Sequence, residues 1–459
     1  VTTTDLPAVA GFRGTLFVPG SPGYDDARRV WNAAVDRRPA IVARCTGPAD
    51  VVAALAHARE RRLPVAVRGG GHSIPGFSTC DDGLVVDLSG LREVHVDPKT
   101  RSATAGPGAT WAEFDRETQA FGLATPGGEV SDTGVAGLTL GGGIGWLSRM
   151  HGLSCDNLLA ADVVTTDGRL LRASAQELPE LFWALRGGGG NFGVVTRFHF
   201  RLHPVGPVWG GPLMFAPDEA AGVLAGLQDL VADAPRELSA LCVLATLPPS
   251  PELPTVLRGR RGLVVIPAWF GDPQTGHEWL DRVRRLGDPL VDAVGPTDYV
   301  SLQCSTDAMT PPGRASYVRS DLLGPLDDGV LAALVARWAE VTSPFSGVLL
   351  RVTGGAMNDP GPGATAFPHR SSRWIATAAA MWEPGGAAGP HAAWARAVWR
   401  AMRPAAAGTY VNHLDGDEGP DRLVEAYGGA ERLHRLAAVK AAYDPDNTLA
   451  LNQNIRPMA

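Results

Sequence analysis

Glycine is clustered in this chain, and the clusters limit what it can become. Gly69-Gly70-Gly71 precede His72, Gly141-Gly142-Gly143 precede Ile144-Gly145, and Gly187-Gly188-Gly189-Gly190 precede Asn191. A looser group is Pro126-Gly127-Gly128 with Thr133-Gly134. Consecutive glycines reach positive φ and expose backbone N–H groups, which form concave nests for anions. With no Cβ in the way, a pyrophosphate can lie against the main chain. Tight turns and close chain contacts would explain any one run. Three runs within the first 200 residues, one directly after a strand pattern, point to a ligand cradle. It is neither of the common nucleotide loops. No G-x-x-x-x-G-K-[ST] occurs, and Gly141-x-Gly143 follows a Gly-rich stretch with no βαβ pattern after it. A dinucleotide here requires another scaffold.

The rest of the chain reads as α+β. In the first 205 residues, short β-branched runs alternate with helical patterns. Strands are expected at 39–45, 64–68, 84–88, 94–96 and 194–202, and a hairpin over 159–173 turning at Asp167-Gly168. Helices are expected at 50–62, with Asp50 as N-cap, and at 111–121. From about Val205 the texture changes to long helical patterns (218–233, 328–342) and strands (262–270, 347–353, 374–382), which reads as an antiparallel sheet covered by helices. A last segment has a strand over 409–414, a helix over 432–443 and an Asn-rich tail that is expected to return to the first domain. The boundaries are 1–205, 206–406 and 407–459.

Composition excludes several classes. With 459 residues, 45% hydrophobic and 19% charged, a packed protein of more than one core is expected. The net charge of −7 comes without a basic block, so nucleic acid is not an expected partner. No run of about 20 apolar residues is present, so no membrane span is expected. Five cysteines (Cys45, Cys80, Cys155, Cys242, Cys304) show no metal or disulfide spacing. No metal site is expected, and scattered thiols suit a reducing, cytoplasmic location. Residues Val1 to Arg13 show no export signal.

The motifs RGGGHS, PGG…TG…GGGIGWLSR…GLSCDN, RGGGGNFGVVT and YVNHLDGD…YDPDN…LNQNI, in this order from Ala40 to Pro457, resemble the FAD-linked oxidases of the vanillyl-alcohol-oxidase superfamily, in particular its berberine-bridge-enzyme-like branch. The resemblance implies a two-lobed FAD-binding domain and a substrate domain. It also implies that the His72 ring is bonded to the 8α carbon of the flavin, where a neutral imidazole nitrogen is a competent nucleophile near neutral pH. Many relatives carry a second link from a cysteine, but Val130 stands at that position, so a single link is expected. Cys155 does not match and reads as a buried small residue. By position, the implied cofactor contacts are Arg68, Gly69, Gly70, Gly71, His72, Ser73, Gly127, Val130, Thr133, Gly134, Gly137, Gly142, Gly143, Gly145, Asn157, Gly193, Val195, Tyr410, Asn412, Asn452 and Asn454.

The implied reaction is two-electron oxidation of a C–OH or C–N bond of a small molecule, with O2 as acceptor. A base must sit within hydrogen-bond reach of the substrate. Tyr410 and His413 are the candidates. As strand neighbours with period 2, only one of them is expected to face the flavin. Tyrosine would need help to ionise, and histidine would not. His151 and Tyr317 are further candidates for the pocket wall, and His369-Arg370 reads as structural, with carboxylate binding as the other option. A secondary metabolite is the expected substrate, because sugar oxidases of the family usually carry both links. Oxygenation of a polyketide, with Val130 and Thr133 shaping an oxygen pocket, and oligosaccharide oxidation are the alternatives.

Overall fold

The computed structural model describes residues 9–247 and 255–458. Residues 1–8, part of the stretch read for an export signal, lie outside the described residues. The fold is α+β and is built on three main sheets.

The first sheet has four strands in the order Thr15–Phe17, Ile41–Arg44, Leu84–Asp87, Val65–Arg68, the last three parallel. The helix Pro48–Arg61 makes the crossover and packs Val51, Ala54, Leu55 and Ala58 on Ile41, Val65, Leu84 and Val86. This helix starts earlier than its sequence suggests. Gly47 is the N-cap and Pro48 opens the first turn, where a missing N–H costs nothing. Asp50 sits inside the helix, and its carboxylate accepts from the N–H groups of Arg13 (2.7 Å) and Thr46 (2.8 Å). It therefore ties down the entering chain and is not the N-cap.

The second sheet is antiparallel, in the order Val94–Asp97, Ser102–Ala105, Val194–Arg201, Leu158–Val164, Leu170–Ser174. The helix Trp111–Gln119 lies beside it. That helix is started by a capping box in which Thr110 and Glu113 bond each other's backbone N–H.

The third sheet has ten antiparallel strands between Val208 and Gly408. Its centre runs Arg261–Trp269, Leu238–Thr246, Gly347–Val352, Trp374–Trp382, Ala315–Leu323. Strand periodicity separates its two faces. Val348, Leu350, Val352, Ala376, Ala378 and Ala380 pack beneath the helices Ala220–Ala232, Asp328–Trp338 and Ala388–Met402. Their alternates Leu349, Arg351, Ile375, Thr377, Ala379 and Met381 face a cavity shared with the glycine clusters.

Residues 409–414 are not a strand. The sheet strand ends at Gly408, and Val411–His413 form one 3-10 turn. Gly408 (φ +158) has no room for a Cβ, because the His369 ring fills that space. The tail after the helix Ala430–Tyr443 lies on the third glycine cluster. Asn452 Nδ2 donates to Gly190 O (3.3 Å), and Asn191 Oδ1 accepts from Ile455 N–H (3.0 Å).

Candidate active site

The cavity measures about 400 Å³. One wall is glycine backbone and the other is the open face of the large sheet. The first cluster leaves the strand Val65–Arg68 and runs against the loop before the helix Val135–Leu140. A Cβ on Gly134 would stand 2.6 Å from Gly70 N and 2.7 Å from Gly70 Cα. These glycines therefore let two backbones touch. Gly137 and Gly190 differ, since a Cβ on either would meet nothing within 4 Å. Their absent side chains leave open space in the wall. Gly134→Ala is expected to cost about 1–3 kcal/mol, as overpacking against an unyielding backbone does. Gly137→Ala should not destabilise the protein. Urea midpoints of the two variants check this.

His72 lines the cavity. Its Nε2 faces Asp132 Oδ1 at 3.0 Å, and its ring stacks on Trp31 with centroids 5.2 Å apart. Among the described residues nothing bonds Nδ1. Arg68, just before the cluster, is not part of the lining. It pairs with buried Asp87 through Nη2 (2.6 Å) and Nε (3.1 Å) and fixes where the strand ends.

Tyr410 and His413 both reach the cavity, with ring centroids 4.9 Å apart. The expectation that only one could do so rested on a strand, and the 3-10 turn removes it. Tyr410 Oη accepts two N–H bonds, from Gly143 (3.0 Å) and Asn412 Nδ2 (2.9 Å). Burial raises its pKa to about 12, and the two donors oppose that rise. His413 Nδ1 meets the hydroxyls of Ser320 (3.2 Å) and Thr377 (3.3 Å). Burial pushes its pKa down to about 4. It is thus neutral at pH 7 and a weaker base than an exposed imidazole.

The cavity gathers Gly69 to Ser73, Val130, Thr133, Gly134, Gly137, Tyr410, Asn412, His413 and Asn452. The other expected contacts lie behind this lining. A Cβ on Gly141 would collide with the Asn412 side chain, on Gly142 with Phe367, on Gly143 with Ser154, and on Gly145 with Gly127 O. Gly141 thus packs on the Tyr410–Asn412 turn. Gly127 backs onto Trp111, and Gly193 (φ +151) onto Val163. Val195 is core. Asn157 Nδ2 donates to the carbonyls of His151 and Leu153 (both 2.9 Å), and Asn157 Oδ1 meets His203 Nε2 at 2.7 Å. Asn454 lines a separate cavity.

His151 is not in the pocket wall but stacks on His203 with centroids 3.8 Å apart. Tyr317 likewise lies outside the lining; its Oη donates to Asp417 (3.0 Å) beneath Arg319 and Arg396. Arg370 is structural, clamped to Asp156 at 2.6 and 2.8 Å. Cys155 is fully buried, and burial raises its thiol pKa.

Sequence reading missed the second wall. Arg351 and Glu129 line the cavity and form an ion pair. Burial pulls the Arg351 guanidinium down to about 9, so it is still cationic at pH 7. The signal was present: in Gly347–Val352 (GVLLRV) one arginine interrupts an otherwise apolar strand. Among the described residues no group of His, Cys, Asp and Glu could hold a metal ion, and no helix is long and apolar enough to cross a membrane.

A dinucleotide-sized flavin fits these residues. Backbone without Cβ faces open space at Gly137 and Gly190. Asn452, on the tail that closes over this wall, keeps a buried Oδ1 with no partner. Comparison with known proteins agrees. Residues 39–174 match the FAD binding domain family, and residues 409–456 match the family described as berberine and berberine like. The protein is an FAD-dependent oxidoreductase. An FAD-linked oxidoreductase of Dictyostelium discoideum is 32% identical over 97% of this chain and 95% of its own length, so the chain belongs to the berberine-bridge-enzyme-like FAD-linked oxidoreductases. The crystal structure of 6-hydroxy-D-nicotine oxidase from Arthrobacter nicotinovorans superposes with TM-score 0.85 at 27% identity, covering 97% of this chain and 98% of that one. Glucooligosaccharide oxidase from Acremonium strictum, described with a 6-S-cysteinyl, 8α-N1-histidyl FAD, shares the fold (TM-score 0.86, 23% identity, 97% of each chain).

Proposed function

We propose that this enzyme is an oxidase that carries FAD on a single covalent link from His72, oxidises a C–OH or C–N bond of a small secondary-metabolite substrate, and passes the electrons to O2. The observation that carries the reading is the setting of His72. Asp132 Oδ1 stands 3.0 Å from Nε2, the Trp31 ring stacks on the imidazole, and Nδ1, which has no neighbour of this kind among the described residues, is left as the nucleophile beside the glycine wall. Bound FAD supplies a two-electron acceptor. The chain's own residues do the rest. Gly69 to Gly71 and Gly134 to Gly137 give it a wall without side chains, Asn452 offers a free carbonyl, and Tyr410, with His413 beside it, takes the substrate proton.

A single link is supported by the lining itself. Val130 faces the cavity, and none of the lining residues is a cysteine. Val318, Leu241, Leu349, Ile375, Ala379 and Met381 make the sheet wall apolar, which suits a secondary metabolite better than a sugar. Oxygenation of a polyketide is the second reading, because Val130 and Thr133 are small lining residues beside His72 and leave room for O2.

Acid precipitation of the purified protein tests the link. A yellow pellet and a mass increase of one FAD are expected. His72→Ala should give a colourless pellet and a yellow supernatant. Wild-type protein that releases all its chromophore overturns the proposal. Under ¹⁸O2, unlabelled product with stoichiometric peroxide supports the oxidase, and labelled product the oxygenase.

A further inference from the structure

We infer that the cavity's sheet wall contains an oxyanion site at Arg351, and that the substrate is an apolar molecule presenting a carboxylate, phenolate or enolate oxygen to it. This deepens the oxidase reading and rests on it for the identity of the site.

Arg351 stands on the central strand Gly347–Val352, paired to Leu241 on one side and Ile375 on the other. Leu349, two residues earlier, shares its face. Its neighbours on the cavity face are thus apolar, and it is 1% exposed. The loop residue Glu129 pairs with its Nε. The Trp146 ring lies against the guanidinium, 4.3 Å from the central carbon. Neither Nη1 nor Nη2 has a hydrogen-bond partner.

The other buried arginines show how unusual this is. Arg149 donates from Nε to Leu238 O (2.7 Å) and from Nη1 to Thr353 O (2.7 Å). Arg68 is chelated by Asp87, and Arg319 bonds Asp417 and its neighbour's carbonyl. Buried donors left unmade are costly, and more so when charged. A guanidinium sealed on one edge by Glu129 and on one face by indole, with its outer nitrogens buried and unpartnered beside a cavity it lines, is a fork awaiting an acceptor.

Glu129 sets the chemistry of that acceptor. It is held from outside the cavity, since its carbonyl accepts from Thr306 Oγ1 (2.5 Å) and the next loop residues are anchored by Asp307 on Ser131 N–H (2.9 Å). It occupies the Nε edge. A ligand anion then finds the Nη edge, away from the Glu129 carboxylate. The remaining sheet wall offers it apolar contact apart from the hydroxyls of Ser316 and Thr377.

The test uses the purified holoenzyme with benzoate as probe and benzyl alcohol as its neutral counterpart, followed by flavin absorbance changes and by calorimetry. Benzoate should bind, and Arg351→Met should weaken it by about 30-fold, the worth of charge-assisted bonds, while benzyl alcohol binding stays within threefold. Arg351→Lys should recover part of the loss. Glu129→Gln, which leaves Arg351 in place, should tighten benzoate several-fold by removing a competing carboxylate. 4-Nitrophenolate at pH 8.5 separates the two anion types: a dependence on Arg351 equal to that of benzoate marks a phenolate or enolate substrate, and a weaker one marks a carboxylate. Benzoate affinity unchanged in both Arg351→Met and Glu129→Gln overturns the inference. If the protein purifies without flavin and calorimetry still shows the Arg351→Met loss of benzoate, the arginine site is upheld while the flavin reading is refuted.

Discussion

Tyr410→Phe slows reduction of the bound flavin by about 10²–10³-fold, the usual worth of a positioned acid or base, and leaves the protein yellow. The expectation comes from the direction of the two hydrogen bonds. Gly143 N–H and Asn412 Nδ2 both donate to Tyr410 Oη, so the phenol's own proton is not needed by either. When the oxygen turns anionic, two donors are already aimed at it, with no reorganisation to make. Burial still keeps the pKa at about 12, so the phenolate is the minor form at neutral pH. The sign of the pH dependence follows. With an alcohol substrate, log(kcat/KM) should rise by about one unit per pH unit between 7 and 10, as the phenolate fraction grows tenfold per unit toward that pKa. In Tyr410→Phe the slope should vanish. His413, pushed down to about 4, adds no limb in this window. Stopped-flow mixing with any alcohol that bleaches the flavin without oxygen measures both quantities. A Tyr410→Phe enzyme within threefold of wild type would move the proton acceptor to another group, with His413 first.

What the sequence disclosed follows the range of the interactions involved. Trp374–Trp382 and Gly347–Val352 were readable because strand periodicity is local and the burial alternates with it. The glycine clusters were readable as a cradle, but their individual duties were not. Whether Gly143 faces a ligand or donates to Tyr410 depends on a residue 267 positions away. Residues 409–414 have strand composition, yet His369 against Gly408 and Asn412 against Gly141 bend them into a turn. Tertiary packing overrode local preference there. Arg351 was visible as an oddity but silent as a site, since its meaning lies in Glu129, more than 200 residues earlier, and in the Trp146 ring beneath it.

Lys440→Met is expected to destabilise the enzyme by about 3–5 kcal/mol, the cost of stripping one partner from a buried ion pair. Lys440 and Asp444 have fully buried side chains and meet at 2.7 Å, one helical turn apart. Lys440 Nζ also donates to Leu449 O (3.0 Å), and Asp444 accepts from the N–H groups of Thr448 (2.8 Å) and Leu449 (2.9 Å). The pair therefore holds the end of the last helix and the start of the tail together. That tail carries Asn452 and Gln453 into the cavity wall, so the loss is expected to reach the cofactor. Removing Lys440 leaves a carboxylate in a dry site with only two N–H donors. Removing the charge from Asp444 leaves an ammonium with one carbonyl. The double variant Lys440→Met with Asp444→Asn should thus lose less than the sum of the two single losses, because neither charge remains to be desolvated alone. Urea midpoints give the energies, and flavin fluorescence, rising as the tail loosens, reports whether the cavity opens before the protein unfolds. Midpoints unchanged in Lys440→Met would show that the tail is held by its hydrogen bonds to Gly190 and Asn191 instead.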